Sequence, residues 1–149
     1  MSEQEQKELI PGVNTHENII FACFGGFSNT GVTAAYASLE AVKEVGLKKA
    51  GIGCLAALPI DVKSVFVKTK VAKKIITVDG CPQECSKKIV ENAGLPIFKS
   101  IVLARDIGMT KHPLSRDIGG DLKSVDEYIS SDDVKKAKDL IVQAINELP

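Results

Sequence analysis

The chain has 149 residues, 44% of them hydrophobic, so it is long enough to form one domain with its own apolar core. Its nineteen basic and nineteen acidic residues cancel, which argues against a nucleic acid or an anionic membrane surface as a partner. The polar, acidic N terminus does not resemble a secretory leader, and every apolar run is shorter than the roughly 18 residues of a membrane-spanning helix. We therefore expect a soluble cytoplasmic protein, in which cysteines are more often metal ligands or reactive thiols than disulfides.

Hydrophobic patterning predicts alternating strands and helices after a polar arm at residues 1–17. Short apolar runs predict four strands, at residues 18–24, 49–58, 74–78 and 100–104. Apolar residues at helical spacing predict four helices, at residues 30–45, 62–71, 82–92 and 132–148. This alternation favours a single α/β domain over residues 18–149, with a Rossmann-like, doubly wound and mostly parallel sheet.

The four cysteines fall near the predicted strand ends. Cys23, Cys54 and Cys81 each lie at or just after the carboxyl end of a different strand, and Cys85 lies in the first turns of the helix that begins at Pro82. Loops that leave the carboxyl ends of parallel strands share one edge of the sheet, where ligands bind. The β-carbons of Cys81 and Cys85 should lie about 5–6 Å apart, which is wide for a disulfide but suits zinc. The pattern therefore predicts a zinc site at this edge, formed by all four cysteines.

Other interpretations of the cysteines stay open. Free cysteines are often simply small buried hydrophobic residues. In a redox enzyme or sensor, Cys81 would be the nucleophile and Cys85 the resolving thiol, although the pair lacks the Cys-x2-Cys spacing of thioredoxin-like proteins. Four thiolates would also hold a [4Fe–4S] cluster.

A glycine-rich loop separates the first strand from the first helix. Residues 26–33 have the spacing of a phosphate-binding loop, but Val32 stands at the lysine position, which argues against nucleotide hydrolysis. The loop from Gly25 to Gly31 and the helix start behind it could still hold a small anion or small molecule beside the metal.

Few other side chains are candidates for the site. His16 precedes the first strand, so we expect it at the opposite edge of the sheet. His112 follows the fourth strand and is a candidate ligand or base at the cysteine edge. Asp79 is expected to cap the turn before Cys81 through backbone hydrogen bonds, with a role as a base near the metal as the alternative.

Residues 78–91 read VDGCPQECSKKIVE. This segment resembles the signature of the DGC-domain family, which is named for its Asp-Gly-Cys motif, and the similarity extends to a cysteine that ends the first strand and to a Cys-Leu-Ala segment at residues 54–56. The resemblance implies a zinc-binding protein whose ligands are Cys23, Cys54, Cys81 and Cys85. It implies no particular reaction, so the substrate and any protein partner stay open.

Overall fold

The computed structural model of the protein describes residues 14–149, so most of the predicted arm at 1–17 lies outside the described residues. The strands are β1 (Asn18–Ala22), β2 (Ala50–Ile52), β3 (Lys74–Asp79) and β4 (Lys99–Val102). They form one parallel sheet in the order β2-β1-β3-β4. This arrangement confirms the predicted Rossmann-like α/β fold.

Helices cover both faces of this sheet. They are α1 (Asn29–Val45), α2 (Lys63–Val71), α3 (Cys85–Asn92), α4 (Leu103–Asp106) and α5 (Ser131–Asn146), and 3-10 turns occur at Leu55–Ala57, Leu114–Asp117 and Val125–Tyr128. None of the helices between residues 14 and 149 has the length and apolar content needed to cross a membrane.

The side chains of the central strands alternate between two apolar layers. Ile20 and Ile76 are fully buried against α1 and α5, whose contact with the sheet includes Ala37 and Ile141. On the other face, the buried side chains of β1 and β3 pack against α2 and α3. A parallel strand that is covered on both faces reads as a nearly continuous apolar run, which is why β1 and β3 were predictable from the sequence.

The strand order places a crevice at the carboxyl ends of β1 and β3. The chain passes from β1 to β2 on one side and then crosses to β3 on the other side of β1. In doubly wound sheets, this reversal separates the loops that follow the two central strands and forms the usual ligand site. Cys23 follows β1 and Cys81 follows β3, so two of the predicted ligands border this crevice.

Several predicted boundaries differ from the structure. The helix predicted to start at Pro82 begins at Cys85, because residues 81–84 form a turn in which Glu84 donates its N–H to the Cys81 carbonyl at 3.2 Å and takes a left-handed φ of 52°. The strand predicted at 100–104 ends at Val102, whose N–H donates to the Asp106 carboxylate at 2.9 Å. The run at 49–58 is a strand only over Ala50–Ile52 and then forms a 3-10 turn.

Candidate metal centre

All four cysteines lie beyond the carboxyl ends of strands. Cys23 follows β1 directly, Cys54 lies two residues after β2, Cys81 lies two residues after β3, and Cys85 is the first residue of α3. Each is a free thiol; Cys23 and Cys81 are half-buried, whereas Cys54 and Cys85 are exposed. The fold therefore brings the four residues to the same edge of the sheet.

Cys81 and Cys85 lie close enough to Cys23 for their charges to act on its thiol, and we call these three residues the thiol cluster. Burial is the main cause that raises the pKa of the Cys23 thiol, and nearby charges on Cys85, Asp79 and Cys81 raise this pKa further. The Gly25 N–H donates to the Cys23 sulfur at 3.1 Å and opposes the rise. Cys54 follows β2, on the far side of β1 from the strand that precedes Cys81.

The thiol cluster is a set of neighbours rather than an assembled coordination sphere. Among residues 14–149, no three histidine, cysteine, aspartate or glutamate side chains are grouped closely enough to hold a metal ion. Zinc–sulfur bonds of about 2.3 Å place tetrahedral ligand sulfurs a little under 4 Å apart. A metal-bound state would therefore differ from this structure in the positions of the thiols.

Asp79 holds the first turn of α3. Its side chain is buried, and its carboxylate accepts hydrogen bonds from the N–H groups of Ser86 at 2.7 Å and Lys87 at 3.2 Å. Burial raises the pKa of Asp79, and the two N–H donors act in the opposite direction. Asp79 thus has the capping role that the sequence predicts, but it caps the helix that begins at Cys85 rather than the turn before Cys81.

Gly80 allows the start of α1 to pack against the loop after β3. A Cβ at position 80 would lie 2.5 Å from the carbonyl carbon of Thr30 and 2.6 Å from the nitrogen of Gly31. Gly31 is equally confined, because its Cβ would lie 1.9 Å from the carbonyl oxygen of Phe24. The loops that carry Cys23 and Cys81 therefore both pack backbone to backbone against the start of α1.

The loop after β1 uses its own groups to start α1. Gly25, Gly26 and Phe27 have left-handed φ values of 66°, 63° and 67°, a conformation that costs about 1–2 kcal/mol for a non-glycine residue such as Phe27. Ser28 then caps α1, with its Oγ accepting the Gly31 N–H at 3.1 Å. The loop thus provides an internal partner for one of the N–H groups that a phosphate-binding loop would offer to its ligand.

His112 is engaged by residues of its own segment. Its Nε2 lies 3.2 Å from an Asp117 oxygen, and its ring stacks on Tyr128 with 5.8 Å between centroids. The preceding residue instead reaches the thiol cluster, because the Lys111 Nζ lies 3.8 Å from the Cys81 sulfur. Sequence reasoning missed Lys111, since only the tertiary fold brings this surface lysine to a cysteine thirty positions away.

His16 lies at the amino-terminal edge of the sheet, as predicted. Its Nδ1 hydrogen-bonds to the carbonyl of Leu47, in the turn that precedes β2. The ring also packs against Gly51, where a Cβ would lie 2.1 Å from the ring carbon Cδ2. Gly51 of β2 therefore serves packing.

These features define an α/β domain with a cluster of cysteine thiols at the point where the strand order of a doubly wound sheet reverses. The family model of the DGC domain matches residues 19–139, and the chain belongs to the DGC-domain family. Comparisons with curated proteins and with solved structures give no match. The motif that names the family corresponds here to a helix cap, a close backbone contact and a thiol, at Asp79, Gly80 and Cys81.

Proposed function

We propose that the protein binds zinc through its cysteine thiolates, with Cys23, Cys81 and Cys85 as permanent ligands and Cys54 as an exchangeable fourth ligand. The observation that carries the proposal is the proximity of the three thiols at the crevice between β1 and β3. Membership of a family named for a cysteine motif in this crevice adds to it.

The donor set suits zinc in chemical terms. Thiolate sulfur is a preferred zinc ligand, and three thiolates leave one net negative charge on the site, whereas four leave two. The Lys111 ammonium beside Cys81 and the positive end of α3 at Cys85 both offset this charge. The surroundings of the thiol cluster therefore favour a thiolate-bound cation.

Cys54 differs from the other three cysteines in its position. It is exposed and follows the outer strand β2, whereas Cys23 and Cys81 follow the two central strands. A zinc site with three protein ligands keeps a position for an exogenous ligand, whereas a closed four-ligand site is typical of structural zinc. Since the domain has its own two-layered core, a role in holding zinc for transfer, sensing or chemistry is favoured over a role in folding.

The test is elemental analysis and absorption spectroscopy of protein purified without oxygen, as wild type and as four single Cys→Ser variants. We expect about one zinc per chain in a colourless wild type. Cys23→Ser, Cys81→Ser and Cys85→Ser should lose the metal, whereas Cys54→Ser should retain zinc but release it more readily to a chelator. Circular dichroism of each variant controls for folding.

Three outcomes would contradict parts of this proposal. Equal zinc loss in all four variants would exclude the exchangeable role of Cys54 and indicate a closed site. Iron with visible absorbance would replace zinc with an iron–sulfur cluster. A folded wild type that binds no metal would exclude a metal site.

The same proximity supports a second candidate, a thiol redox function. Oxidation of Cys81 and Cys85 by one hydrogen peroxide would form a disulfide and release two water molecules. A metal-free wild type that forms this disulfide reversibly would favour the redox function over zinc binding.

A further inference from the structure

We propose that residues 109–118, which we call the strap, act as a lid over the crevice between β1 and β3 and control access to the Cys81 thiol. The device concerns access to a sulfur atom, so it applies to a bound metal and to a redox reaction alike. It gives a role to a segment that lies between α4 and α5, far along the chain from the Asp-Gly-Cys motif.

The strap contacts both walls of the crevice. On the β1 side, the Leu114 N–H donates to the Phe27 carbonyl, in the loop that follows β1, at 3.2 Å. On the β3 side, the Lys111 Nζ lies 3.8 Å from the Cys81 sulfur. The strap therefore spans the crevice from the loop after β1 to the loop after β3, where ligands of doubly wound sheets bind.

One side chain at the start of α1 holds the strap in place. Asn29 accepts the His112 N–H through its Oδ1 at 2.6 Å and donates from its Nδ2 to the Thr110 carbonyl at 3.0 Å. The Asn29 N–H also donates to the His112 carbonyl at 3.1 Å. The helix itself is capped by the neighbouring Ser28. The Asn29 side chain therefore acts on the strap rather than on the helix.

A second contact, which we call the clasp, holds the far end of the strap. The Tyr128 hydroxyl donates to the Asp117 carboxylate at 2.6 Å, and the His112 Nε2 lies 3.2 Å from the other Asp117 oxygen. Tyr128 ends the 3-10 turn that precedes α5. The clasp thus ties the strap to the turn that leads into a core helix.

The strap is built to open without the rest of the domain. It lies between Gly108 and Gly119, whose left-handed φ values are 72° and 90°, and a Cβ at either glycine would meet nothing within 4 Å. Loop positions of this kind can take up the backbone rotation of a hinge. Leu114 is the only buried residue between them. Opening therefore exposes little apolar surface, and it should cost less free energy than global unfolding.

The test measures how fast each thiol reacts in full-length protein from which metal has been removed by a chelator. Iodoacetamide labelling with tandem mass spectrometry gives a separate rate for each cysteine. When a lid opens and closes faster than the reagent reacts, the rate at a covered thiol follows the population of the open form. Asn29→Ala removes two hydrogen bonds to the strap, so we expect the rate at Cys81 to rise about tenfold. The exposed Cys54 should keep its wild-type rate.

Two further variants make the test selective. Tyr128→Phe removes the hydroxyl group of the clasp and keeps the ring, so we expect a rise of about two- to threefold at Cys81. Ser115→Ala, at an exposed position within the strap, should leave the rate unchanged. Hydrogen exchange adds an independent measurement, because opening of the lid should speed exchange of the Leu114 N–H but not of the N–H groups of β3.

Two results would overturn the lid. If the Leu114 N–H exchanges faster in Asn29→Ala while the rate at Cys81 stays the same, the strap opens without having covered the thiol. If Cys54 and the N–H groups of β3 become faster together with Cys81, the Asn29 side chain stabilises the whole fold and no separate lid exists. Both results are independent of the zinc content of the wild type, which decides the proposed function separately.

Discussion

Strand β3 begins with Lys74 and ends with Asp79, and each of these buried charged residues holds the end of a different helix. At the amino end, the Lys74 ammonium donates to the last carbonyls of α5 and the residue beyond it, those of Ala144 at 2.8 Å, Ile145 at 2.7 Å and Glu147. At the carboxyl end, Asp79 accepts the first N–H groups of α3. In both places, the side-chain charge is opposite in sign to the helix end that it contacts.

The surroundings of the two ends differ, and so do their roles. The Lys74 ammonium lies over the ring of Phe98, 4.7 Å from its centroid, and the helix that it holds completes the core. The helix that Asp79 holds begins with Cys85, and the Asp79 charge contributes to the raised pKa of Cys23. The same physical device stabilises packing at one end of β3 and positions the thiol cluster at the other.

Lys74→Met should lower the stability of the fold strongly and leave zinc binding unchanged, which would separate the two roles. The substitution leaves three carbonyl oxygens without their charged donor, so we expect the free energy of unfolding to fall by about 2–3 kcal/mol. Urea denaturation measures this, with Lys73→Met, at the exposed neighbouring position, as the matched control. Zinc stoichiometry should stay at the wild-type value. A loss of zinc from folded Lys74→Met would mean that the two ends of β3 are coupled.

Asp79→Asn should have a smaller effect on stability and a clear effect on the site. The amide oxygen can keep one of the two N–H bonds, so we expect a loss of about 1–2 kcal/mol in the free energy of unfolding. Because the first turn of α3 carries Cys85, zinc should also pass more readily to a competing chelator. An unchanged zinc affinity in a destabilised Asp79→Asn would show that the cap serves the fold alone.

The positions of the thiols beyond β1 and β3 were accessible from the sequence, because strong local patterns encode these strands. The apolar runs of β1 and β3 fixed the positions of Cys23 and Cys81 at the same edge of a parallel sheet. Pro82 was misleading, since proline suits the first position of a helix and the second position of a turn equally well. Asp79 decides between the two, because its carboxylate caps the N–H groups of Ser86 and Lys87 and so places the helix start at Cys85.

The contacts of residues 110–112 with α1 and the thiol cluster could not be predicted, because no local pattern encodes them. The hydrogen bond between Asn29 and His112 joins residues 83 positions apart, and the contact between Lys111 and Cys81 joins residues 30 apart. Residues 110–112 read as an ordinary polar loop until α1 is placed beside them. Sequence reasoning therefore located the thiols and offered His112 as a candidate neighbour, but it did not find the contact with Lys111.

Asp106 gives the test with the smallest expected effect. Like Asp79 at the end of β3, it accepts a backbone N–H at the carboxyl end of the neighbouring strand, β4. Its carboxylate accepts the Val102 N–H at 2.9 Å where β4 ends, but it is also bonded by the Arg105 Nε at 2.8 Å. The Arg105 hydrogen bond is the main cause that lowers the pKa of Asp106, whereas burial raises the pKa of Asp79. The Arg105 guanidinium therefore gives the pKa of Asp106 the opposite direction of shift from that of Asp79, although both carboxylates accept backbone N–H groups.

Because the pKa of Asp106 is lowered, the loss of folding stability in Asp106→Asn should depend on pH. A carboxyl whose pKa is lower in the folded than in the unfolded chain adds stability above its unfolded value, about 3.9, and this stability is lost as the pH falls through the folded value. We expect the substitution to cost about 0.5–1 kcal/mol at pH 7 and progressively less below about pH 4. Urea denaturation of both proteins across this range measures the difference. A difference that stays constant with pH would show that Asp106 acts only as a hydrogen-bond acceptor for β4 and that its charge contributes nothing.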